Sequence, residues 1–74
     1  MTPAQARAAR GLLGLTQTGL ASAASLGQST IIDFEKERRV VSPDSVAAIR
    51  AALEAAGVVF LAENGNGPGV ALRR

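Results

Sequence analysis

The sequence has no cysteine and no histidine, and these absences remove most of the common chemistry of small proteins. Without cysteine there is no disulfide, no thiolate metal site and no cysteine nucleophile. Without histidine the commonest metal ligand and the commonest general base are missing. Tyrosine and tryptophan are absent too, and the only aromatic residues are Phe34 and Phe60. We therefore expect neither an enzyme nor a protein that holds a metal or cofactor.

Long apolar runs are also lacking, although 47% of the residues are hydrophobic. A membrane span needs about 18 consecutive apolar residues, and polar residues interrupt every cluster here. The N-terminus lacks the basic stretch and apolar core of a secretory signal. A cytoplasmic protein with no membrane partner is the expectation. The 74 residues suffice for one small domain. Small domains often need extra stabilisation, and without a disulfide or a metal site we expect it to come from a second copy of the chain.

The net charge is only +2, which does not by itself indicate a nucleic-acid partner. The distribution of the charge is more informative than its sum. Lys36, Arg38 and Arg39 cluster in the middle of the chain, and Arg73 and Arg74 are its last two residues.

Helix start and stop signals divide the first 57 residues into short helices. Thr2, Pro3 and Gln5 form a capping-box start, and Ser42 followed by Pro43 forms a similar one. Apolar residues at helical spacing follow these starts. The predicted helices span about 3–13, 17–24, 28–36 and 43–56.

The tail differs in character, because the β-prone runs 58–61 and 70–73 flank the Asn- and Gly-rich segment 63–69. This pattern predicts a β-hairpin. We expect residues 1–57 to form one domain and residues 58–74 to form a dimerisation element, since an isolated hairpin is only marginally stable. The alternative is a hairpin that folds onto its own fourth helix. The expected interface residues are Val58, Val59, Phe60, Leu61, Val70 and Leu72.

The second and third helices form a helix-turn-helix pattern, with the small Ala21 permitting a close crossing. A helical wheel of the third helix puts Thr30, Ile31 and Phe34 on the inner face. The outer face comprises Gln28, Ser29, Ile32, Asp33 and Lys36.

This outer face suits the reading of base edges in a DNA major groove. The Gln28 amide can bond adenine, the Asp33 carboxylate can accept from cytosine, and Ile32 can contact a thymine methyl group. The alternative is an ordinary solvated helix face.

The stretch from Gln17 to Glu35 resembles the Cro/repressor-type (XRE-like) helix-turn-helix family, which includes the lambdoid phage repressors. The resemblance covers about residues 3–57 and implies a mainly α, four-helix, lambda-repressor-like domain. Ser25 departs from the family's usual Gly in the turn. The positions that carry the resemblance are Gln17, Leu20, Ala21, Ala24, Leu26, Gly27, Gln28, Ser29, Thr30, Ile31, Phe34 and Glu35.

The resemblance also implies roles for individual residues. Gln28, Ser29 and Asp33 occupy positions at which members of the family contact bases. Ile32 is added to these predicted base contacts because the helical wheel places it on the same outer face. Arg10 and Glu35 match a partly buried structural ion pair. The residues expected to bond DNA phosphates are Thr16, Gln17, Lys36, Arg38 and Arg39. A solvated charge run is the alternative for the two loop arginines.

The function expected from these features is sequence-specific transcriptional regulation by a homodimer on a palindromic operator. The partners would be double-stranded DNA and a second copy, in a bacterial or phage, nucleoid-associated setting. The alternative is a protein-interaction module, like an antiactivator or antitoxin, that binds another regulatory protein. This alternative hypothesis is motivated by the low net charge and by Ile32 and Asp33 on the outer face of the third helix.

Overall fold

The fold is that of a computed structural model, which describes residues 1–62, 65 and 67–73. The described residues form four helices and one antiparallel hairpin, which confirms the predicted mainly α fold. The turn residues Glu63, Asn64 and Asn66, and the terminal Arg74, lie outside the described residues. The elements are α1 (Pro3–Leu13), α2 (Gln17–Ala24), α3 (Gln28–Glu35), α4 (Pro43–Ala55), β1 (Val58–Leu61) and β2 (Gly69–Leu72).

The helix starts follow the predicted capping chemistry. The Thr2 hydroxyl accepts from the Gln5 backbone N–H at 3.1 Å, and the Gln5 side-chain oxygen accepts from the Thr2 N–H at 2.8 Å. Thr16 caps α2 and Ser42 caps α4 through their hydroxyl oxygens. These contacts satisfy N–H groups that have no partner within the helix.

Helices α1, α2 and α3 end in the same left-handed turn, at Gly14, Ser25 and Glu37, whose φ angles are +63°, +57° and +56°. In α2, the N–H of Leu26 reaches back to the carbonyl of Ala21 at 2.9 Å. This is the backbone pairing of a Schellman motif. Glycine adopts the left-handed region freely, whereas serine and glutamate adopt it at a cost.

The core is built from the inward stripes of the four helices and from the start of β1. The fourth helix is predicted to extend to residue 56, but Ala56 is its exposed C-cap and lies outside the core. The buried apolar residues are Ala6, Ala9, Leu20, Ala21, Ile31, Val41, Ile49, Leu53 and Val58.

The hairpin packs against α1 and α4 of its own chain. This matches the alternative prediction, in which the hairpin folds onto its own fourth helix. Val58, paired with Leu72, is only 2% exposed, and Phe60 and Val70 pack against the core from the same face. Val58, Phe60 and Val70 belong to the predicted dimer interface and face inward within this chain, whereas Leu72, also predicted there, is 48% exposed. Val59 and Leu61 alternate with them and are 39% and 46% exposed.

Gln5 joins α1 to the hairpin as well as closing the capping box. Its Nε2 donates to the carbonyl of Gly69 at 2.9 Å and to that of Leu61 at 3.3 Å. Leu61 and Gly69 are partners at the last position of the ladder. One buried amide therefore fixes the start of α1 and the loop end of the hairpin together.

We expect Ser25→Gly to stabilise the protein by about 0.5–1 kcal/mol, because glycine removes the left-handed strain at a modest entropic cost in the unfolded chain. Urea denaturation followed by circular dichroism measures the change. The control is Ser22→Gly in the interior of α2, where glycine is expected to destabilise the fold. A loss of stability in both variants would contradict the strain at Ser25.

Candidate nucleic-acid interface

Helices α2 and α3 meet closely, because the residue between them at the crossing is small. Ala21 is 4% exposed, and Leu26, in the three-residue turn, packs against the core. Ile31 of α3 is completely buried. This packing fixes which face of α3 points away from the core.

The outward face of α3 carries the residues that the wheel assigned to it. Gln28 and Ser29, in the first turn, and Lys36, just past the last, are exposed. Ile32 and Asp33 are half-buried, so the surface is polar at the start of the helix and more enclosed further along. This is the arrangement of a helix that presents its N-terminal residues to base edges.

Glu35, at the end of α3, is the most buried charged residue of the described chain, with 2% exposure. Arg10 of α1 approaches it with both donors of its fork: Nε donates to Oε2 at 2.6 Å and Nη2 donates to Oε1 at 2.8 Å. The hydrogen bond with Glu35 raises the pKa of the Arg10 guanidinium, which therefore stays charged. The geometry is that of the predicted ion pair.

Two further side chains complete the surroundings of Glu35. Gln17 donates its Nε2 to Oε1 of Glu35 at 3.2 Å, and Arg7 donates its Nη1 to the Glu35 backbone carbonyl. Arg10 also donates Nη1 to the carbonyl of Leu15 at 3.1 Å, just before α2. Within the described part of the chain, every buried side-chain nitrogen and oxygen has a hydrogen-bond partner.

The residues expected at DNA phosphates differ in how they are engaged. The Thr16 hydroxyl caps α2 by accepting from the Gly19 N–H at 2.9 Å, and the Gln17 amide is bonded to Glu35. Lys36 and Arg38 are exposed. Arg39 is 51% exposed and pairs with Asp33, a residue expected to contact bases. Their contacts with DNA remain predictions.

Glycine is unfavourable inside a helix, but the N-terminal cap of α2 explains the presence of Gly19. A Cβ at this position would lie 2.9 Å from Cδ1 of Leu15 and 3.2 Å from the capping oxygen of Thr16. Glycine thus keeps room for the cap, at the usual cost of about 1 kcal/mol relative to alanine.

Two structural contacts near this surface and the hairpin have no counterpart among the predictions from the sequence. Arg7 lies one helical turn before Arg10, and this spacing could have placed it on the same face near Glu35. The bond from Gln5 to the hairpin has no such local signal, since its partners lie more than 50 residues away.

The described residues include no group of acidic, histidine or cysteine side chains arranged to hold a metal ion. Among the same residues, no helix has the length and apolar character that crossing a membrane requires.

A family model described as Helix-turn-helix matches residues 7–56, which run from within α1 to the end of α4. The chain belongs to this Cro/repressor-type (XRE) helix-turn-helix family, a class of DNA-binding transcriptional regulators. No curated protein matches the sequence at a significant level. The matched residues include the whole of the surface described above.

We expect Arg10→Met to lower the free energy of unfolding by about 2–3 kcal/mol, because it leaves the buried Glu35 carboxylate without its cation. The estimate lies below that for a fully buried pair, since the Arg10 side chain is 22% exposed. Urea denaturation gives the value.

The matched control is Glu54→Gln, which breaks the surface pair between Arg50 and Glu54, whose side chains are 45% and 47% exposed. Its expected effect is at most about 0.5 kcal/mol. An Arg10→Met effect as small as that of the control would show that the Glu35 network is not a major source of stability.

Proposed function

We propose that this protein is a sequence-specific regulator that binds a palindromic DNA operator as a homodimer. The observation that carries the proposal is the outward face of α3, where Gln28 and Ser29 are exposed in the first turn. The Arg10–Glu35 pair supports it, because it fixes the helix that bears this face. A rigid support favours precise contacts with base edges.

Specific recognition in this proposal comes from hydrogen bonds in the major groove. The Gln28 amide has a donor and an acceptor side by side, which match N7 and N6 of adenine. The Ser29 hydroxyl can donate to or accept from the edge of any base. Ile32 offers an apolar surface to the methyl group of a thymine. Lys36 and Arg38, exposed just after α3, supply contacts to phosphates.

Dimerisation is proposed to use the outer face of the hairpin. Val59 and Leu61 are apolar, adjacent on one face and 39% and 46% exposed, whereas Val58 and Phe60 are turned toward the core. A two-fold pairing of this face would bury apolar surface and leave each α3 free. Half-sites one helical turn apart, about 34 Å, would then be read by the two copies of α3.

We expect Gln28→Ala to relax the base preference at one position of each half-site by about 1–3 kcal/mol. The measurement is selection of duplexes from a random pool by wild type and variant, followed by competition binding at fixed salt. The control is Arg38→Gln, which should weaken binding to all sequences alike. Equal weakening across sequences by Gln28→Ala would contradict the base-reading role. If wild type retains no duplex at all, a protein-binding module becomes the better account.

We expect Leu61→Lys to shift the protein from dimer to monomer, because a charge on the outer face of the hairpin opposes burial there. Sedimentation equilibrium at micromolar concentration gives the mass. The control is Val40→Lys, since Val40 is 94% exposed in the loop after α3 and lies outside the hairpin. A Leu61→Lys protein that remains dimeric would contradict the proposed interface.

A further inference from the structure

The backbone after α3 turns Arg39 back toward the helix it has just left. Glu37 has a φ of +56°, and the N–H of Arg38 then donates to the carbonyl of Asp33 at 2.9 Å. This bond closes the chain over the last turn of α3. The next residue, Arg39, therefore lies beside the side chain of Asp33.

The side chains of Arg39 and Asp33 complete this closure. Nε of Arg39 donates to Oδ2 of Asp33 at 2.8 Å, while the Asp33 side chain is 23% exposed. Among the described residues, Oδ1 of Asp33 has no hydrogen-bond partner. Neither Lys36 nor Arg38 forms an ion pair within that part of the chain, so the pairing singles out Arg39 among the basic residues of the loop between α3 and α4.

An acidic side chain on a DNA-facing helix meets opposing electrostatic effects. The phosphates repel its carboxylate, yet the carboxylate is the natural acceptor for the N4 amino group of cytosine. A cation held on one carboxylate oxygen reduces the repulsion and restricts the side chain to one orientation. The second oxygen then remains available to accept from a base.

We infer that Arg39 is a positioning residue that holds Asp33 to accept a hydrogen bond from a cytosine, so that the pair determines specificity at one base position. Arg39 in this account acts through Asp33 and not as an independent phosphate contact, which revises the role expected from the sequence. The inference rests on the proposed function, since it needs α3 to lie in the major groove.

The test compares Arg39→Gln with Arg38→Gln on the duplex selected by wild type and on its single-base variants. For Arg39→Gln we expect the preference for cytosine at one position, about tenfold in wild type, to fall to about threefold or less. Its salt dependence should stay as in wild type. For Arg38→Gln we expect the reverse: an unchanged preference and a log–log salt slope reduced by about 0.9, the loss of one neutralised phosphate.

Two more variants separate positioning from a general effect of charge. Asp33→Ala should abolish the cytosine preference at the same position, and adding Arg39→Gln to it should cause no further loss, because the two residues act as one unit. Arg39→Lys should recover part of the preference, since an ammonium group can still pair with Asp33.

The outcomes distinguish this inference from the proposed function. A slope loss in Arg39→Gln equal to that of Arg38→Gln, with the cytosine preference intact, overturns the inference and leaves the proposed function standing. An unchanged cytosine preference in Asp33→Ala also overturns it alone. If wild type binds no duplex, both the proposed function and the inference fail.

Discussion

The burial of the Glu35 carboxylate is the constraint on which the rest of the structure depends. A carboxylate removed from water costs several kcal/mol unless a cation and hydrogen-bond donors replace the lost solvation. Arg10 from α1 and Gln17 from α2 provide these at the end of α3. One buried charge thus requires three helices to meet in one arrangement. The orientation of α3, and with it the outward position of Gln28, follows from that requirement.

A second buried polar group, which also needs hydrogen-bond partners from several elements, holds the hairpin against the helices. The amide of Gln5 accepts from the start of α1 and donates to the carbonyls of Leu61 and Gly69, so its burial is tolerated only when helix and hairpin meet. Val58 adds apolar contact to the same core. The hairpin is therefore part of the packing of the helical domain, and a dimer that uses it would do so with the opposite face.

The helix bounds could be predicted because their signals are local: Thr2 with Gln5, and Ser42, are read directly from neighbouring residues. The Arg10–Glu35 pair was reached through the family resemblance, since no local pattern links residues 25 positions apart. The inward face of the hairpin was not predictable, because residues 58–61 are all apolar and either face suits a core. The bond between Asp33 and Arg39 depends on the left-handed turn at Glu37, which no glycine announces.

The proposed DNA-binding surface consists of α3 and the loop after it. The most direct measurement is a titration of the ¹⁵N-labelled protein with its selected duplex, followed by amide chemical shifts. If this surface binds DNA, the largest changes are expected at residues 28–33 and 36–39, with smaller ones for α2 and little change in the interior of α4. Changes concentrated in the hairpin, with α3 unaffected, would contradict it.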